Sequence, residues 1–251
     1  MVSSRATEYP RGVSQRDESE HTRCVASCLS ALIQEAGGVS ALIVPRGYSH
    51  LGLAVIDAVF SLRARYEGTV LPVLQRYSVG VPGLEDCRSW ADDGVQEHSA
   101  AAVAARLRDL TPEEGAELFG NWQCSPGTST RKAVTVLRVA STLTACGASS
   151  HQDLRARWED PALARAVLRV PGAGDATWRY ICSLSRIERV NPDTFVAAWV
   201  RTCAGASWLP ARRCAQLLED ACGVLADDGT AITVRTADHL VWRKQSGRPL
   251  S

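Results

Sequence analysis

The chain has 251 residues, 45% of them hydrophobic and 22% charged, and a net charge of +1 at pH 7. That length holds one large domain or two small ones with a sizeable core, and the composition is globular rather than disordered or fibrous. The balance excludes an overall basic coat: the 28 basic groups would have to be sorted onto one face to grip a polyanion.

Residues 1–20 are rich in Ser, Arg and Glu and read as a flexible tail. Val25, Cys28, Leu29, Leu32 and Ile33 recur at helical spacing and predict a helix over 21–36, stopped by Gly37-Gly38. The next helix, over 49–66, is apolar almost all round through Leu53, Val55, Ile56, Val59, Phe60 and Leu62, so it belongs in a core. Asp57 interrupts it. A carboxylate there needs a partner or a pocket, which leaves two readings open: an Asp paired with an Arg or set at the helix edge, or a group facing a ligand.

A helix over 69–77 has Pro72 in its first turn, and 78–95 reads as loop. Ser99–Leu110 is an Ala-rich helix, and Thr111-Pro112-Glu113-Glu114 is a capping start for another that ends at Gly120. The polar loop 121–130 leads into a helix over 131–147. Its opening Ser129-Thr130-Arg131-Lys132 is either a capped start with solvated charges or a cationic edge. A short helix occupies 151–160. Helices over 194–203, 210–222 and 233–244 close the chain. No strand-period segment runs longer than a few residues and no internal repeat is found, so the expected class is all-α.

Residues 163–201 carry the most information. Leu163, Ala166 and Val167 form one apolar helical face; Val170-Pro171-Gly172-Ala173-Gly174 is a breaker cluster; Trp178, Ile181, Cys182 and Leu184 start a second helix behind Asp175 and Thr177. Asn191-Pro192-Asp193-Thr194 then stops one run and caps the next. Glycines that adopt φ > 0, followed by the positive end of a helix, suit an anion and can hold a nucleic-acid backbone without reading a base.

This segment resembles the helix-hairpin-helix and Gly/Pro...Asp signature of the HhH-GPD superfamily of base-excision DNA glycosylases. The hairpin is Val170-Pro171-Gly172-Ala173-Gly174, and Asp193 stands about seventeen or eighteen residues beyond it at a helix start, where the family has its catalytic Asp. Ala176 occupies the place of the catalytic Lys of the lyase-competent branch. The resemblance therefore implies a monofunctional enzyme that hydrolyses the N-glycosidic bond of a modified base with water. Asp193 would be kept ionised by the helix N-terminus.

It also implies two helical lobes, 46–187 with the hairpin (170–174) and 21–45 plus 188–251, with a cleft for DNA between them. Val170, Gly172, Gly174, Ala176 and Thr177 would hold double-stranded DNA, helped by Arg63, Arg65 and Lys132. Asp57 and Tyr66 would face the base. Hairpin carbonyls would share a monovalent cation with a phosphate.

Cys203, Cys214 and Cys222 lack the spacing of the iron–sulfur cluster that some relatives carry, so no cofactor is expected. Nine scattered cysteines read as reduced thiols, and Cys24 with Cys28 lacks the second pair of a zinc site. The apolar runs fall short of the roughly 18 residues of a membrane span, and the N-terminus is not signal-like. These readings together predict a cytoplasmic, nucleoid-associated monomer. Two rivals stand beside the glycosylase: a non-catalytic hairpin module that binds DNA, and a helical protein-interaction domain.

Overall fold

The computed structural model describes residues 15–45, 47–84, 98–190 and 192–251. Among them are twelve α-helices and no β-strand, so the protein is all-α. In chain order they are α1 (Gln15–Glu35), α2 (Leu51–Phe60), α3 (Leu71–Ser78), α4 (Ala100–Leu107), α5 (Pro112–Phe119) and α6 (Lys132–Ala145). There follow α7 (His151–Arg157), α8 (Pro161–Leu168), α9 (Asp175–Leu184), α10 (Thr194–Ala204), α11 (Ala211–Asp227) and α12 (Val234–Gln245). A 3-10 turn spans Val39–Ala41, and a π turn spans Tyr66–Val70. Of the expected tail, residues 1–14 lie outside the described residues, as do 85–97 of the expected loop and its surroundings, and Asn191.

The chain forms two compact units, Met1–Val44 with Pro192–Ser251, and Pro45–Asn191. In the first, α1 packs on α10 and α11, and α12 packs on α10 and α11. Val25, Leu29, Val200, Leu218 and Val241 are fully buried in these helices. Residues 15–20 are helical rather than loose, which corrects the expected tail. Asp17 and Glu18 sit in the first turn of α1, where carboxylates complement the helix dipole, and Glu18 pairs with Arg213 of α11 at 3.2 Å. Gly37 and Gly38 then end α1 with φ of 93° and 94°.

The second unit is built round α2, every residue of which is buried. It packs against α3, α4, α6 and α9. Each large apolar side chain so enclosed stabilises the fold by about 1.5–3 kcal/mol. Phe60 meets Phe119 of α5 at 5.0 Å between ring centroids, and Phe119 stacks on Tyr77 of α3 at 5.5 Å.

The helix expected over 49–66 is shorter than its apolar pattern. It stops at Phe60, the backbone turns left-handed at Arg63 (φ 54°), and the chain re-enters helix through the π turn at Tyr66. There the carbonyl of the last residue of α2 and that of Leu62, just beyond it, meet another donor. Lys132 Nζ lies 3.0 Å from Phe60 O and 2.8 Å from Leu62 O.

Candidate functional site

The first turn of α6 holds together two segments singled out from the sequence. Lys132, at its start, closes the C-terminus of α2 and also donates to Gln123 Oε1 at 3.0 Å. Its three hydrogen-bond partners match the three protons of an ammonium. The side chain is 2% exposed, and burial lowers its pKa to about 8. The cation expected beside a DNA backbone therefore sits inside the unit, closing a helix. Desolvation is offset there by carbonyls at the negative end of α2.

One turn further along α6, Thr135 serves the hairpin. Its Oγ1 shares a 2.7 Å hydrogen bond with Ser125 Oγ and reaches Pro171 O at 3.4 Å. Gly172 has φ of 88°, and a Cβ there would stand 2.4 Å from Ser125 Cβ. Positive φ and close approach both require glycine at this position. Gly174 differs: φ is −108° and a Cβ would meet nothing within 4 Å. Val170, Ala173 and Thr177 are buried, while Pro171 and Gly174 are exposed.

Thr177 Oγ1 accepts from Gly174 N–H at 3.3 Å. The side chains of Val170 and Thr177 thus face inward. What the hairpin offers outward is backbone and the first turn of α9, including Ala176, with no side-chain cap on that helix start.

The segment after α2 brings Arg63, Arg65 and Tyr66 onto one exposed turn. Behind it lies Asp57, 1% exposed. Its partners are hydroxyls and not the Arg of the simpler reading. Tyr48 Oη donates to Oδ2 at 2.8 Å, and Ser61 Oγ donates to Oδ1 at 2.5 Å. Desolvation raises the Asp57 carboxyl to about 6, against the pull of both hydrogen bonds. Tyr48 continues outward to Tyr66, with the two phenolic oxygens 3.2 Å apart.

Burial and the neighbouring carboxylate push the Tyr48 hydroxyl well above its ordinary range. Ser61 was within reach of the sequence, being four residues from Asp57 on the same helical face. Tyr48 comes from the loop before α2 and had no periodic signal.

Asp193 belongs to the other compact unit. It is the N-cap of α10, and its Oδ1 accepts from Val196 N–H at 2.8 Å. Burial raises its pKa, and the N–H groups of Val196 and Phe195 only partly oppose that. The helix start does favour the ionised form, as expected, but desolvation outweighs it.

A further cluster in the second unit joins His50, His98 and Tyr77. The His98 N–H donates to His50 Nδ1 at 2.9 Å, and Tyr77 Oη lies 2.8 Å from His98 Nε2. Arg106 lies 4.5 Å over the Tyr77 ring.

Among the described residues, no group of three or more His, Cys, Asp and Glu is arranged to hold a metal ion. No described helix is long and apolar enough to cross a membrane. No curated protein and no solved structure matches the chain. A family model described as a domain of unknown function (DUF8548) matches residues 27–246, and the chain belongs to that family.

Proposed function

We propose that the protein is a monofunctional DNA glycosylase of the HhH-GPD type, which removes a modified base from double-stranded DNA as a cytoplasmic, nucleoid-associated enzyme. The observation that carries this reading is the α8–turn–α9 hairpin. A glycine with obligatory positive φ packs on Ser125, and an uncapped helix start follows it. Exposed backbone N–H groups at the positive end of a helix bind phosphate without reading sequence. The proposal includes the helix-hairpin-helix motif and the two-lobed architecture.

On this reading Gly172 and Gly174 line the phosphate contact, with Arg63 and Arg65 as further backbone cations. Val170 and Thr177 support the turn from inside. The hairpin carbonyls are the groups on which a monovalent cation would sit. The carbonyl of Gly174 already accepts from Trp178 N–H at 3.1 Å and retains a second lone pair.

Asp193 supplies the chemistry. Bond cleavage leaves an oxocarbenium-like sugar, and a fixed, desolvated carboxylate stabilises that charge and orients the attacking water. Water adds to the sugar carbon, the base leaves with its electron pair, and a proton from water returns to the base. Ala176 has no amine, so no covalent sugar adduct forms there. One test separates an enzyme from a module that binds DNA only: the Asp193→Asn protein should bind duplex at low salt as the wild type does and lose base release.

A further inference from the structure

Three thiols gather in the compact unit that α1 and α10 share. Cys24 and Cys28 stand four apart on one face of α1, and Cys203 lies in the last turn of α10, which packs on α1. Cys28 follows the buried Val25 by three positions and precedes the buried Leu32 by four. Cys203 follows the buried Val200 by three and Val196 by seven. Both thiols therefore border the apolar faces through which their helices pack. The side chains of Cys28 and Cys203 are hydrogen-bonded to each other. All three cysteines are free; Cys24 is exposed, and Cys28 and Cys203 are half-buried.

Geometry selects one pair. Cβ atoms four residues apart on a helix stand about 5–6 Å from each other, and a disulfide needs about 3.5–4.5 Å, so Cys24 and Cys28 cannot join without unwinding α1. Cys28 and Cys203 come from different helices and already touch. Half-burial leaves both within reach of a small oxidant. Burial first, then the thiols of Cys28 and Cys24, pushes the Cys203 thiol well above its ordinary range, so Cys203 keeps its proton. That suits Cys203 to resolve an oxidised Cys28 rather than to be attacked first.

We propose that Cys28 and Cys203 form a reversible disulfide, made by a hydroperoxide, that fastens α1 to α10. The Cys28 sulfur attacks one peroxide oxygen, the O–O bond breaks, and water leaves with a sulfenic acid on Cys28. The Cys203 sulfur then attacks the Cys28 sulfur. The S–S bond forms, the S–O bond breaks, and the hydroxyl leaves as a second water with the Cys203 proton. Two electrons pass from the two thiols to the peroxide. A thiol reductant breaks the bond by exchange and restores both thiols. This inference goes beyond the glycosylase reading and does not depend on it.

The test treats the full chain with hydrogen peroxide in native buffer, blocks the remaining thiols with iodoacetamide, and maps unreduced tryptic peptides by mass spectrometry. Trypsin leaves Cys24 and Cys28 on the peptide 24–46 and Cys203 on the peptide 202–212. The expected result is that these two peptides are joined in wild type and in Cys24→Ser, and separate after dithiothreitol. Cys28→Ser and Cys203→Ser should each lose the link, with helix content unchanged by circular dichroism. No link in wild type, a link that survives Cys28→Ser, or a link lost in Cys24→Ser would overturn the proposal. So would a link that runs between two chains, seen as a dimer on a non-reducing gel.

Discussion

The ammonium of Lys132 donates to the carbonyl of Phe60 at 3.0 Å across 72 positions of sequence. With Leu62 O and Gln123 Oε1 as its other acceptors, it joins α6, the end of α2 and the loop before α6 in one buried junction. That junction sets where the turn bearing Arg63, Arg65 and Tyr66 leaves the core.

Replacing Lys132 with Met keeps the volume of the stem and strands the carbonyls. The expected cost is about 3 kcal/mol in urea denaturation, because buried acceptors are left without donors. A loss below about 0.5 kcal/mol would show that the junction does not depend on the charge.

The two hairpin glycines should respond differently. Gly172→Ala forces a methyl against Ser125 in a left-handed backbone and should destabilise by about 2 kcal/mol or more. Gly174→Ala meets open space at φ −108° and should change stability by less than about 1 kcal/mol. Thermal melts of the two variants against wild type decide this. Equal effects would contradict the geometry.

Much of this architecture was legible because its signals are local. Thr111 and Glu114 form the reciprocal cap that their spacing announces, and α5 ends at Gly120 with φ of 59°. Ser99, Asp193 and Thr233 likewise cap the helices they precede. Most of the failures are cases where a distant residue overrides a local pattern. The apolar run of α2 continues past Phe60, but a lysine from α6 takes its carbonyls. The polar run at 15–20 continues α1 because Arg213 of α11 answers Glu18. Asp57 looked for an Arg and found Tyr48 and Ser61, and only the second lay at helical spacing. Lys132 looked solvated beside Arg131 and is among the most buried polar groups. Helix periodicity reports which face is apolar; it does not report which polar side chain another helix will need.

Stability should fall with acid. Burial holds His98 and His151 near a pKa of about 4, below the ordinary 6.5, with Arg106 and His50 adding to the effect at His98, and Arg155, His50 and Arg186 at His151. Groups with depressed folded pKa bind fewer protons in the native state. Their stabilising effect is therefore complete above about pH 6.5 and is lost as pH falls toward 4. Asp57, raised to about 6, acts in the opposite sense: its neutral form favours the fold at low pH, and that contribution disappears as pH rises through 6. Burial also holds His239 near a pKa of about 4 and lowers that of His50, on the side of the other histidines, and it raises Asp193, on the side of Asp57. The histidines outnumber the carboxyls, so urea midpoints should drop between pH 6.5 and 4.5. Replacing His98 with Asn should flatten the slope. A midpoint that rises toward acid would contradict these assignments.

Asp193 can be tested as a cap separately from its chemistry. Asn caps a helix about as well as Asp, so Asp193→Asn should melt within about 0.5 kcal/mol of wild type, while Asp193→Ala should lose about 1 kcal/mol. If Asn were as damaging as Ala, the carboxylate charge itself would be holding α10.

The central claim is tested most directly by base release from duplexes that each carry one modified base, with alkali cleavage of any abasic site. Wild type and Asp193→Asn are run side by side. The account predicts release of at least one base by wild type, strand cleavage only after alkali, and a loss of at least about a hundredfold in Asp193→Asn. Release from no substrate by wild type, or release that Asp193→Asn retains in full, would contradict it.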